Sequence, residues 1–415
     1  MAEGEKMVEG EKTMKTQGHF QSKGGLEGVV AARTRLSLVD GRGGRLWIGG
    51  CPVESLAPHA RVEDVIFLLW YDRWPSEAER DALRDALAAR RHLPAGVMEL
   101  LEAASRAQVP IMDALMMGSA SLALTTHAST READEEKATG KDSGLAAPAG
   151  IPDRLFDQAL TLVAAFPLIV GTYARLLEGR APLPFPREGG QAEVYLKVLL
   201  GPEVDQARVR ALSTYLNTVV DHGLNASTFT ARVIISTRSD LVAAVTGALG
   251  ALKGPLHGGA PGPALELVRE IGTRERIEPI LRAKLERGER LMGFGHRVYK
   301  VRDPRADVLD RAVRLLWTTG GENATHALAR EVEKTALALL KEYKPGRNLQ
   351  TNVEYYTALL LDGIGLNEAL FTPTFAVSRV VGWIAHAFEE HREGRLIRPS
   401  SEYIGVKDRA VPQPA

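Results

Sequence analysis

The chain has 415 residues, 45% of them hydrophobic and 25% charged. That is ordinary for a globular protein and exceeds the size at which one core stops growing, so a larger and a smaller domain around a cleft are expected. Lys plus Arg balance Asp plus Glu at 52 each, which excludes a global basic field for nucleic acid or an anionic membrane and leaves a small partner.

The first 24 residues contain an EGEK echo at 3–6 and 9–12, with four glutamates and no apolar run. They read as a disordered tail rather than a targeting peptide, with folded structure starting near Gly25. TRLSLVDGRGGRLWIGG (34–50) alternates apolar and polar residues around a glycine-rich turn, a hairpin pattern. The single cysteine, Cys51, excludes an intrachain disulfide framework, and no CxxC or HExxH spacing offers a zinc site. A reducing cytosol and a chain without metal are expected.

The sequence then turns helical. In WPSEAERDALRDALAARRHLP, Ser76 and Glu79 form a capping box and Leu83 and Leu87 recur at i, i+4. THASTREADEEKATGKDSGLAAPAGIP (126–152) is polar and Gly/Ala/Pro-rich and reads as a surface loop. LTLVAAFPLIVGTYA (160–174) is shorter than the roughly 20 apolar residues a bilayer crossing needs, and Pro167 interrupts it, so a buried helix pair is expected. Apolar helical periodicity dominates to the end, and the fold class is mainly α.

Three of the ten histidines sit in unusual settings. His222 lies in DHGLNAST. His257, in LKGPLHGGAPGP, stands at a helix entrance where glycines admit a ligand and free N–H groups favour anionic oxygen, or it packs in a glycine-rich turn. His296 lies in GFGHRVYKVRDPR, where Arg297, Lys300, Arg302 and Arg305 suit a dicarboxylate or phosphate ligand, or form a solvated basic face that Asp303 partly neutralises. In TNVEYY, Thr351 and Glu354 match a T-x-x-E capping box that needs no function, and an acid in a first helical turn is favoured by the macrodipole.

Together GFGHRVYKVRDPR, LNASTFTARV, ALKGPLHGGA, NVEYY and FTPTFAVSRVVGWIAH resemble the citrate synthase family, over nearly the whole chain from GLEGVVAARTRLSLVDG to IRPSSEYIG. The resemblance implies the citrate synthase fold and a mostly helical homodimer. Its large domain would comprise 25–256 and 366–415, and its small domain 257–365 would close over the substrates. It also implies condensation of the methyl group of acetyl-CoA with the ketone of oxaloacetate, followed by thioester hydrolysis. The CoA thioester is then a cosubstrate, and no tightly bound cofactor or metal is implied.

By position Glu354 would be the base on the methyl carbon, His257 the donor to the enol-like oxygen, and His296 the donor to the ketone. His222, Arg305, Arg379 and, across the dimer, Arg398 would bind oxaloacetate. Lys300, with Lys253 and Arg297, would face CoA.

The family's base is usually aspartate, and the glutamate here is similar to that of some bacterial members. Its extra methylene moves the carboxylate by about 1.5 Å, and a 1 Å misplacement can cost about 10²-fold in rate. HGGAP and HGLNAS replace the common HGGAN and HELNAS, and the loop at 126–152 is longer than usual. A 2-methylcitrate synthase using propionyl-CoA is the alternative. A non-catalytic CoA-binding paralogue is a third reading.

Overall fold

The alternating stretch at 34–50 forms the hairpin that its pattern predicts. Strand β1 (Ser37–Asp40) pairs antiparallel with β2 (Arg45–Ile48), Ser37 opposite Ile48 and Asp40 opposite Arg45, and β2 pairs with a two-residue β3 (Cys51–Pro52). Asp40 Oδ1 closes the turn by accepting the Gly43 N–H at 2.7 Å. The computed structural model describes residues 25–26, 28–124, 145–257, 261–296, 298–317 and 324–411. The expected tail and most of the polar stretch at 126–152 lie outside the described residues.

Everything else that is regular among the described residues is helical. The first five helices are α1 (Val53–His59), α2 (Val62–Tyr71), α3 (Glu77–Ala89), α4 (Ala95–Arg106) and α5 (Ile111–Ser121). They are followed by α6 (Asp153–Leu177), α7 (Gln191–Leu200), α8 (Gln206–Val219), α9 (Ala226–Ser236) and α10 (Leu241–Leu252). The rest are α11 (Pro261–Ile271), α12 (Ile277–Glu286), α13 (Pro304–Trp317), α14 (Ala324–Tyr343), α15 (Val353–Gly363) and α16 (Phe371–Glu393). The mainly α class is as expected. Helix α3 starts with the predicted box: Ser76 Oγ accepts the Glu79 N–H, and the Glu79 carboxylate accepts the Ser76 N–H at 2.9 Å.

The apolar run around Pro167 is one helix of 25 residues and not a pair, and it extends beyond the run at both ends. A proline inside a helix costs about 3 kcal/mol. Here Phe166, Leu168, Ile169 and Val170 are wholly buried around it, and burying side chains of this size contributes about 1.5–3 kcal/mol each, so packing outweighs the lost bond. The helix is long and apolar enough to cross a membrane, yet 78% of its most apolar stretch is buried inside the protein.

Helix α16 is buried along nearly its whole length and packs on α6, α8 and α9. Helix α8 also packs on α13, and α13 on α15. One hydrophobic core runs from Leu36 to Phe388 and takes in Leu265, Val313 and Leu360. The candidate residues gather where α8, α13, α15 and α16 converge.

Candidate active site

The first half of the site is a loop welded to a helix start. Gly293 (φ +88°) and Gly295 (φ +84°) turn the chain into the left-handed region, and a Cβ on Gly293 would come within 2.7 Å of the Tyr355 ring. Only glycine lets the loop approach that closely. Gly295 N–H donates to the Gln350 carbonyl at 2.7 Å, Asn352 N–H to the Gly293 carbonyl at 3.0 Å, and the Asn352 side-chain amide to the Gly295 carbonyl at 2.8 Å. From the hairpin side, the Gly41 carbonyl accepts the Lys300 N–H at 2.8 Å.

That frame fixes the tautomer of His296. Its Nδ1 accepts the backbone N–H groups of Val298 and Tyr299, both at 3.0 Å, so the ring proton is on Nε2. Nε2 stands 3.5 Å from an Arg305 guanidinium nitrogen. Both are N–H donors, so this contact is no hydrogen bond. It is a convergence of two donors on a place that a ligand oxygen can fill. Burial first, and then the Arg305 charge, hold the imidazole pKa down to about 4, so the ring is neutral at pH 7.

Arg305 is buried and clasped by Asp303, Nε to Oδ1 at 3.0 Å and a terminal nitrogen to Oδ2 at 2.8 Å. Burial works against its charge, and the Asp303 carboxylate more than reverses that, raising its pKa. Arg302 is likewise taken up by Asp307 and Glu333, each at 2.5 Å. Arg302 and Arg305 are therefore not part of a solvated face.

Glu354 is not the acid of a capping box. Asn352 is the N-cap of α15 and accepts the Glu354 N–H at 3.1 Å, while Thr351 Oγ1 donates to Glu333 at 2.6 Å. The helix begins one residue later than the motif suggests because a buried acid from α14 draws Thr351 away. Among the described residues the Glu354 carboxylate has no hydrogen bond or ion pair. Burial pushes its pKa up to about 7, Asp303 adds to that, and Arg305 and Arg379 oppose it.

The second half is built on α9 and α16. Asn225 caps α9 by accepting the Thr228 N–H at 3.1 Å. Ser227 Oγ lies 2.8 Å from Asn225 Oδ1, 2.8 Å from His257 Nε2 and 3.1 Å from Trp383 Nε1. The indole can only donate, so the Ser227 proton goes to Asn225 or to His257. Directed at His257, it leaves the ring proton on Nδ1. Burial, followed by the charge of Arg379, lowers the His257 pKa to about 4.

His222 Nε2 lies 3.1 Å from the Tyr299 hydroxyl, and the His222 and His296 rings are 5.9 Å apart. Burial, then Arg305 and Arg379, keep its pKa well below the usual imidazole range. The loop carrying it is fixed from beneath. Asp221 binds His386 Nε2 at 3.1 Å and Ser37 Oγ at 2.5 Å, His386 Nδ1 accepts from Arg232 at 2.9 Å, and Arg232 meets Glu389 and Glu390, each at 2.9 Å. Gly382 makes this possible, since a Cβ there would meet the Val220 carbonyl at 2.2 Å. Arg379 donates to the Val219 carbonyl at 2.8 Å and lies over the Phe375 ring. Burial lowers its pKa to about 10, and it stays charged at pH 7.

His222 and His296 are ring neighbours, Arg305 reaches His296, and the charges of Arg305 and Arg379 act on both His222 and Glu354, while Arg379 also acts on His257. Arg398 is exposed in the extended segment after α16. Lys253 is exposed and pairs with Asp113, and Lys300 is exposed on the cleft loop. Arg297 lies outside the described residues. Asp221, Ser227, Tyr299 and His386 lie inside the motifs DHGLNAST, GFGHRVYKVRDPR and FTPTFAVSRVVGWIAH, but nothing in those motifs singled them out. Among the described residues no group of three or more His, Cys, Asp or Glu could hold a metal ion.

Three comparisons bear on this arrangement. Residues 25–400 match the family model described as citrate synthase, C-terminal domain. The chain is 37% identical to citrate synthase 2 of Bacillus subtilis, covering 94% of this chain and 97% of that protein. It is 34% identical to 2-methylcitrate synthase of Shewanella oneidensis, covering 93% and 96%. A solved ternary complex of carboxymethyl coenzyme A and oxaloacetate with citrate synthase from Thermoplasma acidophilum superposes with a TM-score of 0.78 at 30% identity, covering 93% of this chain and 97% of that one.

Proposed function

The chain belongs to the citrate synthase family, and from that premise we propose that it condenses acetyl-CoA with oxaloacetate and water to give citrate and CoA. One observation carries the assignment of roles. A carboxylate unpaired among the described residues, with a pKa of about 7, feels Arg305 and Arg379, and the same two arginines act on two imidazoles held neutral by pKa values of about 4, Arg305 on His296 and Arg379 on His257. A base poised near neutrality next to neutral N–H donors suits removal of a weakly acidic proton with stabilisation of the resulting enol-like oxygen.

In this reading Glu354 takes the methyl proton of the thioester while His257 donates to the thioester carbonyl oxygen. The new carbon nucleophile attacks the oxaloacetate ketone, whose oxygen gains negative charge and accepts from His296 Nε2–H, with an Arg305 N–H beside it. Water then cleaves the thioester and CoA departs. Arg379 and the outer edge of Arg305 match the two substrate carboxylates, and His222 adds a donor. These planar guanidinium forks suit bidentate carboxylate binding. No metal or tightly bound cofactor enters these steps.

The small domain, 257–365, closes over the substrates against a large domain formed by 25–256 and 366–415. Lys300, Lys253 and Arg297 face CoA. The active unit is a homodimer in which Arg398 reaches the partner's site. Its support is an extended C-terminal segment that leaves Ile404 92% and Val411 85% exposed, apolar groups that a second copy would cover.

The relatives include both citrate and 2-methylcitrate synthases, and one methylene is worth only about 1–3 kcal/mol in a hydrophobic pocket. CoA release should be measured with acetyl-CoA and with propionyl-CoA in the presence of oxaloacetate. Faster release from acetyl-CoA is expected, and a propionyl preference makes the enzyme a 2-methylcitrate synthase. Binding without release from either thioester would make it a CoA-binding paralogue.

A further inference from the structure

Tyr299 lies against both His222 and His296, and the proposed steps leave it unused. Its ring is buried, with its centroid 4.9 Å from that of His296 and 5.6 Å from that of His222, and the Arg305 guanidinium carbon lies 5.9 Å from it. The backbone fixes its place. Its own amide donates to His296 Nδ1 at 3.0 Å, and the amide of the next residue, Lys300, donates to the Gly41 carbonyl of the hairpin at 2.8 Å. The phenol is thus carried on a braced loop.

The Tyr299 hydroxyl is 3.1 Å from His222 Nε2, its one hydrogen-bond partner among the described residues. Burial, then Arg305 and Arg379, keep that imidazole neutral at pH 7, so it carries a single ring proton. Two arrangements satisfy the contact. If the ring donates from Nε2, the phenol proton of a buried residue is left without an acceptor, which is costly. If the phenol donates, its proton is satisfied and the ring keeps its hydrogen on Nδ1. The second arrangement is therefore the favoured one. It is the mirror of the bond at His296, where the amides of Val298 and Tyr299 occupy Nδ1 and leave the proton on Nε2.

We propose that Tyr299 is a positioning residue for oxaloacetate binding: its amide and its hydroxyl hold the two imidazoles in opposite tautomers, so that His296 offers Nε2–H and His222 offers Nδ1–H to the substrate oxygens. Tyr299 acts only through these rings. A ring free to exchange tautomers presents a lone pair to the substrate oxygen for part of the time, where an N–H is needed. The inference deepens the proposed function and rests on the reading of His222 and His296 as oxaloacetate ligands.

The test is Tyr299→Phe in the full chain, which keeps the ring contacts and the amide and removes only the hydroxyl. Nitrogen-15 NMR of histidine-labelled protein reads the tautomers without turnover, with His222→Gln and His296→Gln assigning the lines. The parent should carry the His222 proton on Nδ1 and the His296 proton on Nε2. In Tyr299→Phe the His296 pattern should persist, while His222 moves toward Nε2–H. The KM for oxaloacetate should rise about 10-fold, the worth of one hydrogen bond, with an unchanged KM for acetyl-CoA and a much smaller change in kcat. Once His222→Gln is present, adding Tyr299→Phe should have no further effect, because the hydroxyl acts through that ring. A parent His222 with its proton on Nε2 overturns the proposal, and so does a His222 tautomer that Tyr299→Phe leaves unmoved, or an additive double variant. If His222→Gln does not alter the KM for oxaloacetate, the reading of the site falls and the proposal with it; if it raises that KM while Tyr299→Phe does not, only the tyrosine proposal falls.

Discussion

The two halves of the cleft are held together by different means. The side carrying His296 and Glu354 is fastened by backbone bonds between 293–303 and 350–353, with Asp303 and Asn352 as side-chain rivets. The side carrying His222 is fastened by buried charge: Asp221, His386, Arg232, Glu389 and Glu390 form a chain beneath it. Backbone bonds set most of the geometry of the first half, with the buried Arg305–Asp303 pair beside them. Buried charges fix the second half, but each depends on its partners to offset the loss of water. Chemistry should therefore be most sensitive on the first side and stability on the second.

Glu354→Gln should show the largest effect, a fall in kcat of about 10²–10⁴-fold with the fold intact by circular dichroism. Arg232→Met removes the cation between Glu389 and Glu390 and should destabilise the protein by about 3–5 kcal/mol in urea unfolding, with a much smaller change in kcat. If it instead lowers kcat as much as Glu354→Gln does, the contrast between the halves is lost. Asn352→Ala removes the cap of α15 and the rivet to the Gly295 carbonyl. A loss of about 1 kcal/mol is expected, with a kcat decrease larger than so small a destabilisation would produce on the other side.

The pH dependence sharpens the same comparison. Activity requires the Glu354 carboxylate, so kcat/KM should rise with pH through about 7 and level off above it. For stability the direction reverses. Glu354 binds its proton more tightly folded than unfolded, so its contribution is present below pH 4.5 and lost as pH rises through about 7. Glu354→Gln should consequently raise the Tm at pH 8 relative to the parent. His257 and His296, lowered from 6.5 to about 4, act oppositely and cost stability as pH falls through that interval. A Tm profile from pH 4 to 8 on the parent and the Gln variant separates the two contributions.

The hairpin and the start of α3 were legible because their signals are short-range: an alternating pattern around glycines, and a serine three residues from a glutamate. The His296 loop was legible as a motif. Three features were not, and each failed for lack of a distant partner. Pro167 reads as a break until the burial around α6 is known. Thr351 reads as a cap until Glu333 is seen to accept its hydroxyl. His386 reads as one histidine among ten until Asp221 and Arg232 are found on either side of its ring. The local code marks the motif positions, and only the fold reveals what holds them there.

The bond from the Lys300 amide to the Gly41 carbonyl has a consequence for how the protein is made. The turn that receives the amide leaves the ribosome well before the loop that donates it. Until that loop emerges, the hairpin must persist without the segment it will brace. A shortened version has to keep Arg35, which bonds Glu389, and Leu36, which is in the core, as well as the strand from Ser37.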